Sequence, residues 1–270
     1  MINLEEKAHL IRADILRMAA SSGGCHLAGP LSVTDLLVGL YFGEILRFDP
    51  KNPAWSDRDR FILSCGHYAP AWYAILARCG YFGPDELTNL RQIGSFLQGH
   101  PSRLHSNFVE VSTGSLGQGL SVGLGMALGL RLQPSQFKPV VWVLTSDAEY
   151  QEGQTWEAVM AAPKFKVGNL KVIVDANNIQ IDGSVSEVMP LGNLAEKLAD
   201  FNWSVLEIEG HDFNQILKAY RTALQITDRP VVIIAKTIAG KGVSFMEGKW
   251  QWHDGKLDDK QLEQALRELR

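Results

Sequence analysis

Apolar positions recur along the chain with two periods. Leu4, Ala8, Ile11, Ile15 and Met18 fall at helical spacing and the run stops at Ser21-Ser22-Gly23-Gly24, which predicts an amphipathic first helix. Residues 33–46 predict a second, with Ser32 as its cap and Asp35 near its positive end. Short β-branched or apolar runs at 60–64, 140–145, 172–175, 204–208 and 231–235 predict buried strands. Helical patterns at 69–79, 84 onward, 119–130, 154–165, 213–225 and 259–270 fall between and after them. Strands alternating with helices, without a linker or repeat, predict one doubly wound α/β domain over 1–270, its mainly parallel sheet covered on both faces.

Composition narrows the field. With 270 residues and 46% hydrophobic positions, the chain can bury a full core. Twenty-six basic against 30 acidic residues leave a net charge of −4 with the signs interspersed, which argues against a nucleic-acid surface. Cys25, Cys65 and Cys79 form no CxxC pair, as expected of buried thiols in a reducing compartment. The amino terminus lacks the apolar core of a signal peptide, and the most apolar segment, 116–130, is too short and glycine-rich to span a bilayer. A cytoplasmic protein is expected.

Polar residues gather at strand ends. In residues 144–183, Asp147 follows one predicted strand, and Asp175-Ala176-Asn177 ends the next. The carboxyl ends of adjacent parallel strands are where open α/β sheets bind ligands. Asp147 alone reads as a helix cap, and Asn177-Asn178 alone as a turn. Together, a carboxylate and an amide oxygen there favour a hard-cation site of the Mg²⁺ kind over a zinc site. Thr113-Gly114-Ser115-Leu116-Gly117-Gln118-Gly119 opens a helix and could cradle a phosphate with backbone N–H groups or serve as a packing turn. It is neither a P-loop nor a dinucleotide fingerprint. Gly119, Gly123, Gly125 and Gly129 cost that helix about 1 kcal/mol each, which calls for close packing against another helix or a partner chain.

Of seven histidines, His9 reads as solvated, and His105 and His211 as turn residues. His26, His67, His100 and His253 each sit in a loop flanked by glycine or proline, and could polarise oxygens and shuttle protons near neutral pH. No HExxH or Gly-x-Ser-x-Gly motif points to zinc or serine hydrolysis.

Several collinear motifs then resemble one family. Residues 22–32, 57–67, Gly99-His100-Pro101, 113–119, 146–153, 175–183, Gly210-His211-Asp212 and Lys236-Thr237-Ile238 run in the order found in transketolases, over nearly the whole chain. What they resemble is the family's first third, the domain that binds the diphosphate of thiamine diphosphate. The resemblance implies the amino-terminal subunit of a split transketolase, moving a glycolaldehyde unit from a ketose (phosphate) to an aldose (phosphate). The partner, in an α₂β₂ assembly, would be a separate chain carrying the pyrimidine-binding and carboxyl-terminal domains and the activating glutamate. It further implies Mg²⁺ ligands at Asp147, Asn177 and the carbonyl of Ile179, and cofactor contacts at His67, Gly114, Ser115, Leu116 and Ala148. Ile181 and Ile238 would pack around the thiazolium, and His26, His67, His100 and His253 would line the substrate channel.

One departure stands out: the family's Gly-Asp-Gly is Ser146-Asp147-Ala148 here. Alanine resists the positive φ that glycine permits, so weaker diphosphate binding or a slightly remodelled turn is expected. The alternatives are another thiamine enzyme, of the deoxyxylulose-phosphate synthase or dehydrogenase first-component α type, and a non-catalytic assembly subunit.

Overall fold

The computed structural model describes residues 3–134 and 137–269. Nine strands appear among them: β1 (Cys25–His26), β2 (Arg60–Leu63), β3 (Val141–Ser146), β4 (Leu170–Ala176), β5 (Ile179–Gln180), β6 (Gly183–Ser184), β7 (Ser204–Glu209), β8 (Val231–Lys236) and β9 (Asp254–Gly255). The helices are α1 (Leu4–Ser21), α2 (Ala28–Ser32), α3 (Thr34–Phe42), α4 (Ala69–Cys79), α5 (Gln118–Arg131), α6 (Gly153–Lys164), α7 (Val185–Val188), α8 (Leu194–Asp200), α9 (Phe213–Gln225) and α10 (Asp259–Glu268). Five strands form one parallel sheet in the order β2-β3-β4-β8-β7.

Alternation along the central strands builds two cores. Trp142, Leu144, Ile173 and Ile233 point to the face covered by α1, α3, α4 and α9. Val141, Val143, Val172, Val174 and Val232 point to the other face, under α5 and α6. Strands buried on both faces carry near-continuous apolar runs, and these do. The predicted doubly wound α/β arrangement is present.

Local chemistry sets several boundaries. Asn3 caps α1 by accepting from the amides of Glu5 and Glu6. Gly80, at φ 90°, closes α4 in the left-handed conformation. Asp212 caps α9 through the amides of Asn214 and Gln215.

Other expectations need correction. Residues 33–46 do not make one helix: α2 and α3 break at Val33, and Glu44 takes φ 60° after α3 has ended. Ser32 is no cap; its hydroxyl is drawn off to Asp175. Pro84–Asn89 closes as a 3₁₀ helix. The inward glycines of α5 pack on the sheet rather than on another helix: a Cβ at Gly119 would meet Ser64, and one at Gly123 would meet Val143, each at 2.5 Å. Gly125 and Gly129 face open space. Helix α8 and the two-residue ladders β1–β9 and β5–β6 are too short to show a period, and the sequence pattern does not predict them. The last predicted helical residue, Arg270, lies outside the described residues. No helix among the described residues is long and apolar enough to cross a membrane.

Candidate active site at the carboxyl edge of the sheet

The site assembles where β3, β4 and β8 end. Register aligns Ser146 with Asp175, so Asp147 emerges beside the segment carrying Asn177. The Asp147 carboxylate accepts from the amide of Ala148 at 2.8 Å and from that of Asn178 at 2.7 Å. Asn178 reaches Asp147 by adopting φ 61°, which asparagine tolerates. Burial, reinforced by the charge of Asp175, pushes the Asp147 carboxyl up to about 7, and no basic side chain among the described residues is bonded to it.

Asp175 is the hub beneath. Fully buried at the end of β4, it accepts from Ser32 (2.7 Å), Tyr68 (3.0 Å), Thr237 and the side-chain amide of Asn177. Burial raises its pKa, and those donors counter part of the effect. The Asn177 amide nitrogen also donates to Tyr68 at 3.1 Å, so its oxygen is turned the other way, accepting from Ile179 N–H at 2.8 Å. That oxygen keeps a second lone pair. A carboxylate and an oriented amide oxygen are hard-oxygen donors of the kind that Mg²⁺ prefers, so these residues fit that ion.

The glycine loop lies alongside. The amides of Gly114, Ser115 and Leu116 donate to no group among the described residues, while Gly117 N–H is held by Glu149 at 2.9 Å. Buried Glu149 also accepts from Ser64 (2.5 Å) and Ser146 N–H (3.0 Å), clamping the loop to β2 and β3. The hydroxyls of Thr113 and Ser146 are buried without a partner. Three free amides and two orphaned hydroxyls beside the Asp147–Asn177 corner fit a diphosphate. Gly66 makes the approach of this loop feasible: a Cβ there would stand 2.8 Å from Gly114 N.

Four imidazoles complete the cluster. Ring centroids lie 5.0 Å apart for His26–His67, 5.4 Å for His26–His253, 5.2 Å for His67–His253 and 6.0 Å for His26–His100. The β1–β9 ladder, pairing His26 with Asp254, brings the distant His253 in. His100 rests over Gly114, where a Cβ would come within 3.1 Å of its ring. Burial lowers the pKa of all four: His26 to about 4, His67 well below its usual value, and His100 and His253 in the same direction. Neutral rings can both donate and accept hydrogen bonds. Among the described residues, no group of three His, Cys, Asp or Glu side chains is placed to hold a metal ion.

Of the remaining candidates, Ile238 leaves β8 next to Thr237 and is 38% exposed, while Ile181 tips the β5–β6 hairpin at 65% exposure and is tied to the corner only through that hairpin. Ala148 is not among the residues at positive φ, so the backbone reason for a glycine there is absent. Sequence reasoning gives no role to Asp175, Tyr68, Thr237 or Glu149. An acid directly after the apolar run Val172-Ile173-Val174, as Asp175 is, is the signal that could have found the hub.

Comparison with known proteins places this geometry. The family profile described as "Transketolase, thiamine diphosphate binding domain" matches residues 5–269. A 6-deoxy-6-sulfo-D-fructose transketolase subunit of a Clostridium species is 38% identical, over 99% of this chain and 96% of its own. One of the subunits of an apulose-4-phosphate transketolase of Phocaeicola vulgatus is 37% identical, over 98% of this chain and 93% of its own. The crystal structure of Campylobacter jejuni transketolase superposes with a TM-score of 0.91 at 32% identity; it covers 99% of this chain, which spans 43% of that one. The chain belongs to the transketolase family, and what it shares with the full-length enzymes is the thiamine diphosphate binding domain.

Proposed function

We propose that this chain acts as a single thiamine-diphosphate-binding domain, the amino-terminal subunit of a two-subunit transketolase. With a partner chain supplying the remainder of the active site, it transfers a two-carbon ketol unit from a ketose to an aldose. The observation that carries the reading is the meeting of four imidazoles, with His100 over Gly114, beside the Asp147–Asn177 corner. The two-subunit part draws on relatives named as subunits, which match this chain over 96% and 93% of their lengths.

In this reading Asp147, the Asn177 oxygen and the Ile179 carbonyl hold Mg²⁺. The free amides of Gly114, Ser115 and Leu116, with His67, receive the diphosphate; the Ala148 N–H, taken by Asp147 here, joins them as that carboxylate turns to the cation. Ile181 and Ile238 wall the thiazolium ring. The bound cofactor supplies the means to stabilise a carbanion. His26, His67, His100 and His253 hydrogen-bond the sugar's oxygens, and a neutral imidazole can pass a proton from one nitrogen while accepting at the other. Because Ala148 keeps a negative φ, its departure from glycine lends no support to a non-catalytic assembly subunit. The α₂β₂ stoichiometry and an anionic ketose donor, phosphorylated or sulfonated, belong to the same proposal.

The test is reconstitution. The chain alone and the chain mixed with a co-encoded carboxyl-terminal transketolase half are assayed with Mg²⁺, thiamine diphosphate and phosphorylated or sulfonated ketoses. Turnover only in the mixture is expected. Strong turnover by the isolated chain overturns the two-subunit reading, and products formed from pyruvate point to the synthase or dehydrogenase type.

A further inference from the structure

The Gly210-His211-Asp212 motif does more than turn the chain. Gly210 lies against the end of β8: its N–H donates to Lys236 O at 2.7 Å, and a Cβ there would stand 2.4 Å from Thr237 Cγ2. Asp212 caps α9. His211, between them, makes two bonds of opposite sense. Its Nδ1 lies 2.6 Å from Asp35 Oδ2, and its Nε2 accepts the Ile238 N–H at 2.9 Å. Since an amide can only donate, Nε2 carries the lone pair and Nδ1 the proton.

Asp35 is itself anchored. Only 4% exposed, it receives both terminal nitrogens of Arg12, at 3.0 and 2.7 Å, and Arg12 also donates to Leu31 O at 3.3 Å. Burial works to raise the Asp35 carboxyl, but Arg12 and His211 outweigh it and hold it below the usual carboxylate range. A buried, bidentate ion pair is rigid, and breaking it leaves an uncompensated charge. A fixed acceptor is thereby aimed from α1 and α3, through His211, at the first residues beyond β8.

We infer that His211 is a positioning residue for the cofactor: the Arg12–Asp35–His211 chain fixes the Ile238 amide, and so sets where the Ile238 side chain stands against the bound ring. The inference rests on the proposed function, in which Ile238 walls the thiazolium. Thr237 is tied to Asp175 and Ile238 to His211, so the segment leaving β8 is pinned to the metal corner on one side and to α3 on the other. Without the His211 bond the Ile238 N–H is unpaired, and the isoleucine is held by the Thr237 tether on one side and by the Lys241 N–H on its carbonyl on the other. The effect falls on cofactor affinity rather than on sugar recognition, because His211 is not part of the imidazole cluster.

The test uses the reconstituted two-subunit complex, with thiamine diphosphate titrated calorimetrically in Mg²⁺. His211→Ala is expected to weaken cofactor binding about tenfold, the scale of one lost hydrogen bond with its donor left unpaired. His211→Gln, which can offer oxygen to Ile238 and nitrogen to Asp35, should recover most of that loss. The sugar KM at saturating cofactor should stay within about twofold in both. Unchanged affinity in His211→Ala, or His211→Gln binding as poorly as alanine, overturns the inference. So does a loss of affinity matched by a comparable fall in the cofactor-free melting temperature, which would mark a purely structural role. If His211→Ala does not fold, His211→Gln and Asp35→Asn decide: glutamine should bind near wild type and Asp35→Asn more weakly. Failure of the wild-type complex to bind thiamine diphosphate at all removes the proposed function and this inference together.

Discussion

Asn177 turns its side-chain nitrogen onto the carboxylate of Asp175, and that contact decides which way its oxygen faces. Exchanging the amide's two ends would set its oxygen against a carboxylate oxygen, so the buried hub leaves one arrangement. Asp175→Asn should therefore disturb the corner without touching a ligand. Four donors would lose a charged acceptor, with an expected destabilisation of about 2–4 kcal/mol. Urea unfolding of the isolated chain measures it, and Mg²⁺-dependent cofactor binding by the complex should weaken in parallel. Wild-type stability in this variant would show that the hub does not organise the corner.

Asp147 is the carboxylate that would touch the cation. Asp147→Ala in the complex should abolish the Mg²⁺ dependence of thiamine diphosphate binding, a loss beyond the roughly 10–100-fold that removing a supporting residue around a metal typically causes. Calorimetry with Mg²⁺ and with EDTA measures the difference. An unchanged Mg²⁺ dependence would take Asp147 out of the ion site.

The imidazole cluster makes stability depend on pH in a definite direction. His26 sits at about 4 against its ordinary 6.5, chiefly because burial disfavours the charged ring. Between those values the unfolded chain holds a proton that the folded ring refuses. The contribution is therefore fully present above 6.5 and is lost as pH falls toward 4, by up to about 3 kcal/mol. Thermal melts of the wild type should rise from about pH 5 to about pH 7, and those of His26→Gln should rise less steeply. Parallel curves would mean that His26 is not held neutral by the fold.

Gly66 stands where β2 meets the glycine loop. Gly66→Ala sets a methyl 2.8 Å from backbone atoms of Thr113 and Gly114, too close for the loop to stay where it is. A cost of about 1–3 kcal/mol in stability is expected, with cofactor affinity falling as the free amides move. Isothermal titration of the complex would show it; full affinity would mean that the loop does not contact the cofactor.

The outward glycines of α5 offer a contrast. Alanine at Gly125 or Gly129 meets nothing and should stabilise the isolated chain by about 1 kcal/mol each through helix propensity. If that face packs closely on a partner chain, the same changes should weaken the complex. Stabilisation with no effect on assembly would place α5 outside any tight interface.

What the linear chain determined by itself is local or ordinal. The bounds of α4 and α9 are legible because period, caps and a terminal glycine act over one or two turns, and the strands because residues buried on both faces leave uninterrupted apolar runs. Motif order points to the family. Tertiary structure alone decided the rest. His26, His67, His100 and His253 meet because a two-residue ladder joins positions 25–26 to 254–255, a pairing too short to leave a pattern in sequence. Asp175 and His211 gain their roles from where neighbouring strands end and which way side chains point. Those are properties of register and packing, which spacing along the chain does not encode. So too with Ala148: its identity foretells difficulty with a positive φ, and only its backbone angle shows that none is required.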